Sequence, residues 1–195
     1  MSKKLFFLLA VLLTASCYVH AQVSFGVRAG LNLSNWMDDD YNTLTFKPGF
    51  QAGVVADIAF NEFLSLQPGL QFSQMGAQEK EDGDAVIMTL NYLQFPVNLQ
   101  VKLGDFFVQA GPYLGYGLNV KGTIKSGGIK VSASESFDDS GLKSIDLGMG
   151  AGFGYQFGPM QAALSTQFGL SNISDEYSDI KNLGVALTLT YFFGK

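Results

Sequence analysis

The chain has 195 residues, with 17 acidic against 12 basic residues and a formal net charge of −5. This acidic balance disfavours nucleic-acid binding through a basic face. A single cysteine and a single histidine exclude an internal disulfide framework and leave little for acid–base catalysis. No run of 18 apolar residues occurs, so no transmembrane helix is predicted.

Residues 1–21 have the pattern of a secretory signal peptide. Two lysines precede an apolar core over residues 5–14, and a small-residue cleavage site follows at residues 19–21. A competing interpretation is lipoprotein processing at Cys17, because Leu13-Thr-Ala-Ser-Cys17 loosely resembles a lipobox. In this segment, however, the leucine lies one place too far upstream of the cysteine. Cleavage after residue 21 would leave one domain, residues 22–195, without cysteine or histidine.

Apolar and polar residues then alternate in eight segments, which is the period of a β-strand with two different faces. The predicted strands cover about residues 23–33, 48–60, 64–73, 91–103, 106–118, 145–157, 160–170 and 183–193. The sixth is the clearest, because glycines alternate with apolar residues from Gly148 to Gly154. Above the fourth strand, Val86, Met88 and Leu90 lie on the opposite parity, which predicts a bulge near Tyr92.

Short and long connections alternate strictly along the chain. The tight turns are residues 60–63, 103–105 and 158–159, and the long polar connections are residues 35–47, 76–89, 119–144 and 172–182. Thirteen of the 17 acidic residues lie in the long connections. This division is typical of outer-membrane barrels, with short periplasmic turns and longer external loops. Pro68, Pro96 and Pro112 fall inside predicted strands, so we expect them at bulges or strand ends.

The polar faces of the strands favour a membrane barrel over a soluble, lipocalin-like barrel. A soluble barrel would turn many charges to water, whereas these faces carry only Arg28, Asp57, Lys102 and Asp146 among Gly, Gln, Ser, Asn and Thr. Seven aromatic residues gather near the short-turn end, as in an interfacial girdle: Phe25, Phe60, Phe63, Phe106, Phe157, Tyr191 and Phe193. We predict an all-β fold, an eight-stranded antiparallel up-and-down transmembrane β-barrel of the bacterial outer membrane.

Several segments resemble the PorT-like outer-membrane β-barrel family of Bacteroidetes-type bacteria. They are Phe25-Gly-Val-Arg-Ala-Gly-Leu-Asn-Leu-Ser34, Tyr92-Leu-Gln-Phe-Pro-Val97, Gly111-Pro-Tyr-Leu-Gly-Tyr116, the glycine alternation after Asp146, Phe168-Gly-Leu-Ser-Asn-Ile173 and the aromatic C-terminus. The resemblance spans essentially all of residues 22–195. It implies an outer-membrane location and supplies a strand signature with no catalytic residue.

The inward parity provides the candidate site residues. Arg28 and Asp57 lie on adjacent strands near the periplasmic rim, and we expect a structural ion pair between them inside the lumen. A substrate site is the alternative interpretation. Asp146 and Lys102 lie near opposite rims and are expected to be solvated. Trp36, beside an acidic cluster, is interpreted as a membrane-interface anchor, with an external contact as the alternative.

The acidic loops offer oxygen ligands for Ca²⁺ or Mg²⁺. Asp38, Asp40 and Asn42 mimic the start of a calcium loop, but Thr43 stands where glycine is needed and Gly49 where glutamate is needed. We therefore expect solvated loops and predict no metal, no cofactor and no catalytic residue.

The predicted function is a monomeric outer-membrane scaffold that contacts lipid and presents acidic external loops to a protein or surface partner. An eight-stranded interior is just wide enough for side chains to fill, so bulk transport is not expected. Two alternatives stay open: a narrow channel for small ions or solutes, suggested by inward glycines, and an accessory subunit of a secretion or assembly system, suggested by the resemblance alone. No enzymatic activity is predicted.

Overall fold

The computed structural model describes residues 22–37, 45–81, 83–174 and 180–194. Nine antiparallel strands occur there: β1 Gln22–Met37, β2 Thr45–Ala59, β3 Leu64–Glu81, β4 Asp84–Leu103, β5 Phe106–Ser126, β6 Ile129–Glu135, β7 Ile145–Phe157, β8 Met160–Gly169 and β9 Lys181–Phe192. The predicted signal peptide, the acidic segment from Asp38 to Asn42 and residues 175–179 of the last predicted loop lie outside the described residues. In the part of the chain that is described, no helix is long and apolar enough to cross a membrane.

Eight of these strands form a closed ring. They are β1 to β5 and β7 to β9. Consecutive ring strands pair with each other, β5 with β7 included, and β1 pairs with β9 to close the barrel. The ninth strand, β6, pairs with the upper part of β5 outside the ring. The eight-stranded antiparallel barrel predicted from the sequence is therefore confirmed, with one additional strand above it.

The strands on one side of the barrel are much longer than those on the other. β3, β4 and β5 have 18, 20 and 21 residues, whereas β7 and β8 have 13 and 10. The register of β3 and β4 continues to the Glu81–Asp84 pair. The predictions of long loops at residues 76–89 and 119–144 are thus wrong over much of their length, because both segments continue as paired strands.

Polar side chains fill the barrel interior, and apolar side chains cover its outside. The seven predicted girdle aromatics are all exposed on the outer surface of the isolated chain, as is at least one large apolar residue of every ring strand. Buried polar residues come mainly from the opposite parity of the same strands. In a soluble protein the polar side chains face outward and the apolar ones inward, so this arrangement is the reverse. It matches a barrel whose outer surface contacts lipid.

The three inner prolines occupy neither strand ends nor bulges. Pro68, Pro96 and Pro112 each lie in a two-residue gap in a hydrogen-bond ladder, and the register is the same on both sides of each gap. The missing donor of proline is thus accommodated by omitting local pairs, while the flanking pairs hold the strands in register.

A register shift occurs at the predicted position near Tyr92, but the extra residue belongs to the partner strand. Asn91 pairs with Asn119 and Tyr92 pairs with Gly117, which leaves Leu118 of β5 without an opposite residue. Leu90, Asn91 and Tyr92 are all buried, so burial does not alternate across this position. Above it Val86 is exposed, whereas below it the exposed residues lie on the other parity, so the predicted change of phase is observed although β4 itself carries no extra residue.

Candidate functional site

The periplasmic half of the lumen contains a hydrogen-bonded network centred on Gln67. Its Oε1 accepts a hydrogen bond from Nη2 of Arg28 at 3.0 Å, and its Nε2 donates to Oδ1 of Asp57 at 3.1 Å. The same Nε2 lies 3.2 Å from the amide oxygens of Gln100 and Gln161. Because Gln67 and Gln100 are fully buried and Gln161 nearly so, this network is shielded from solvent and connects five strands, β1 to β4 and β8.

Arg28 and Asp57 both lie inside the barrel as predicted, and Gln67 bridges them. The salt bridge that the described residues give Asp57 is with Lys102, whose Nζ lies 3.3 Å from Oδ2. Arg28 donates its second hydrogen bond, from Nε, to the Thr190 hydroxyl at 2.9 Å. The expectation of a solvated Lys102 is therefore wrong, since this side chain extends inward to a buried carboxylate.

Inward glycines and aromatic rings pack against each other around the lumen. A Cβ built on Gly148 would collide with the Tyr113 ring, and one on Gly154 with the Phe107 ring. Both are directly opposed cross-strand pairs of β5 and β7. The glycine alternation predicted from the sequence thus creates space that aromatic side chains occupy, and it does not leave an open passage.

Apolar side chains close the extracellular end of the lumen. We call this cluster the plug; its buried members are Met75, Leu90, Tyr92, Val120, Phe137, Ile173 and Ile180. Phe137 and Ile173 come from the connections after β6 and β8, and the ring of Phe137 covers Gly117. Trp36 packs against the plug with its Nε1 buried, so its interpretation as a membrane-interface anchor is wrong.

Asp146 lies beside the plug and is fully buried, which contradicts the expectation that it is solvated. Its carboxylate accepts hydrogen bonds from Asn182 Nδ2 at 2.9 Å, from the Tyr113 hydroxyl at 3.2 Å and from the Ser171 hydroxyl at 3.3 Å. Three neutral donors thus take the place of water around this charge. Asp146 therefore connects β5, β7, β9 and the chain after β8 within one polar cluster.

A four-stranded sheet formed by the upper parts of β3, β4 and β5 and all of β6 rises above the plug. Val86 pairs with Ile124, and Ile124 pairs with Val131, which gives one apolar row across the sheet. These three side chains and Ile129 are each at least half exposed. Among the described residues, β6 pairs with β5 alone, so its other edge has no strand partner.

The described residues contain no group of three or more His, Cys, Asp or Glu side chains placed to hold a metal ion. Of the calcium-loop positions considered in the sequence, only Gly49 is described, and it lies within β2. A Cβ at Gly49 would meet the Asn32 side chain. Tight packing of β2 on its neighbours therefore accounts for this glycine.

Sequence reasoning missed the plug. Two features of the sequence indicated it. Leu90 has inward parity, which was interpreted as a change of phase, and apolar residues occur inside polar connections at Phe137, Ile173 and Ile180. Apolar residues on the inward side of a barrel end are the pattern expected of a closed mouth. The upper sheet was missed because its alternation was assigned to loops.

Comparison with known proteins identifies the family. Residues 17–175 match the model of the outer membrane protein beta-barrel domain. No curated protein matches the chain at a significant level.

Solved structures show the same fold. Ail, the attachment invasion locus protein of Yersinia pestis, is 18% identical, with 88% of this chain and 99% of that chain covered and a TM-score of 0.51. Neisserial surface protein A is 11% identical over 88% of this chain and 99% of its own, with a TM-score of 0.57. The chain belongs to the outer membrane protein beta-barrel domain family and is a β-barrel protein of the bacterial outer membrane.

Proposed function

We propose that this protein is a monomeric, non-enzymatic scaffold that presents its extracellular sheet to a protein partner. The observation that carries the proposal is the exposed apolar row Val86–Ile124–Val131 on a sheet whose outermost strand has a free edge among the described residues. Exposed apolar patches and open strand edges are features that soluble surfaces avoid unless something binds there.

The chemistry of β6 specifies the kind of partner. An extended segment could add to the free edge as a further strand, with main-chain hydrogen bonds giving affinity and alternate side chains giving specificity. Lys125 and Lys130 lie directly opposite each other, and neither has a salt bridge in the described part of the chain. Like charges in that position repel, so an acidic residue on an incoming strand would be favourable.

This partner differs from the one expected from acidic loops. Residues 119–144 contain four lysines and three acidic residues, so this one of the long connections expected to form acidic external loops is slightly basic. The acidic connections at residues 35–47 and 172–182, which the structure describes only in part, remain candidate contacts.

The closed lumen supports a scaffold over a narrow channel. The plug covers the extracellular end, and the Gln67 network fills the periplasmic half. The proposal of no enzymatic activity is supported by the sequence, in which the only histidine lies within the proposed signal peptide, residues 1–21. Membership of the PorT-like group is part of the same proposal and is supported by the quoted segments of the sequence.

Binding of designed peptides to the refolded protein tests the scaffold proposal. We expect a peptide with alternating apolar and acidic residues to bind, and a peptide with lysines at the acidic positions to bind at least tenfold more weakly. Charge reversal of Lys125 and Lys130 to glutamate should invert this preference, whereas Lys181→Glu, at the start of β9, should not. Equal binding of both peptides, or none of either, would contradict the proposal.

A further inference from the structure

A small polar cavity lies within the lumen beside Arg28, and all eight ring strands contribute to its lining. Its volume is about 30 Å³, and its lining includes Arg28, Gln51, Gln71, Gln109 and Thr188. Arg28 is the only charged residue among those that line it, and no carboxylate takes part. The cavity therefore places one positive charge next to neutral polar groups in a largely buried space.

The guanidinium of Arg28 has donors to spare. Of its five N–H groups, one bonds to Thr190 through Nε and one to Gln67 through Nη2, and both acceptors are neutral. Asp57, the nearest acidic partner expected from the sequence, forms its salt bridge with Lys102. Asp57 also interacts electrostatically with Arg28, from which Gln67 separates it, so this one carboxylate serves two cations.

Two glutamine amides complete the polar lining. The Oε1 atom of Gln51 accepts a hydrogen bond from Gln71, so its amide nitrogen is left to donate elsewhere. The side chain of Gln109 has no hydrogen-bond partner among the described residues, although its residue is only 8% exposed. Each amide brings an acceptor oxygen with its N–H donors, whereas Arg28 brings donors alone, so the excess of donors in this space comes from Arg28 and favours an anion.

We propose that this cavity binds a monatomic anion of the size of chloride, held by Arg28 and the neighbouring glutamine amides. A cavity needs about 10–15 Å³ for one water molecule, so a volume of this size admits a halide and is too small for a larger organic anion. The bound anion would neutralise a buried charge that otherwise costs free energy. This site is independent of the extracellular sheet and of the proposed partner.

Bromide tests the site directly in the wild-type protein. Crystals of the refolded protein grown in sodium bromide should show an anomalous peak in contact with the Arg28 guanidinium. In parallel, the urea midpoint of unfolding should be higher in sodium chloride than in sodium gluconate at equal ionic strength, because a ligand that binds only the folded state stabilises it. Absence of the peak together with coincident midpoints would overturn the proposal.

The Arg28→Gln variant provides the second test. It should bind halide at least tenfold more weakly, so its unfolding midpoint should no longer depend on chloride. The matched control is Lys47→Gln, which removes another buried cation that does not line the cavity. If both variants lost the chloride dependence equally, chloride would not act specifically at Arg28 and the site would be refuted. If Arg28→Gln does not refold, the bromide experiment on the wild type still decides.

Discussion

Tyr113 of β5 and Gly148 of β7 form a cross-strand pair in which the aromatic ring fills the space that a side chain at position 148 would need. The same Tyr113 hydroxyl donates to Asp146, two residues earlier on β7. The glycine thus positions an aromatic filler, and the filler in turn satisfies a buried carboxylate. Packing of the lumen and placement of its polar cluster depend on one another.

The first prediction concerns the glycine alternation of β7. Gly148→Ala should destabilise the barrel by ~1–3 kcal/mol, because a Cβ there would overlap the Tyr113 ring and the Phe168 carbonyl oxygen. Gly150→Ala is the matched control, since its Cβ would meet the nearest atom at 3.5 Å, which is ordinary contact. Urea unfolding followed by fluorescence of Trp36 measures both. Equal destabilisation of the two variants would contradict the packing described here.

The second prediction concerns the Gln67 network. Gln67→Leu removes the acceptor of Arg28 Nη2 and a donor to Asp57, so it should destabilise the barrel by at least ~2 kcal/mol. Gln156→Leu serves as the comparison, because Gln156 lies at the periplasmic edge, is partly exposed and contacts the network only at its margin, by accepting a hydrogen bond from Gln161. Its cost should be clearly smaller in the same unfolding measurement. A similar cost for both would mean that burial of the network contributes little.

The third prediction tests the outward face of β4. Leu99 is 46% exposed on the outer surface, so Leu99→Arg should destabilise the membrane-inserted protein by ~2–4 kcal/mol. Leu103→Arg, at the periplasmic end of the same strand, should cost only about 0–1 kcal/mol, since charge is tolerated near the interface. Unfolding from lipid vesicles measures the difference. No depth dependence would show that this face does not meet the bilayer core.

Much of the ring could be predicted from the sequence, because a strand with lipid on one side and a crowded lumen on the other has a strict period of two. The face assignments of residues such as Leu99 and Arg28 followed from parity alone. Pro68, Pro96 and Pro112 showed the limit of local rules, since a ladder can omit pairs at a proline and keep its register. That outcome depends on the neighbouring strands.

The interior could be predicted only in part. Parity placed Arg28, Asp57 and Asp146 inside the barrel, but partners depend on side-chain reach across several strands. Gln67 therefore took the position between Arg28 and Asp57, and Lys102 reached Asp57 from two strands away. The plug depends on contacts between Leu90 and residues such as Phe137 and Ile173, which are distant in sequence, and no local pattern reports such contacts.

Single-channel recording in planar bilayers tests the central claim, a closed and packed lumen, most directly. The purified, refolded wild-type protein should give no stable conductance steps. Gly150→Ala, which leaves the plug and the Gln67 network in place, should be equally silent. Reproducible steps of uniform size from the wild-type protein would contradict the account, because they would require a continuous path past both the plug and the network.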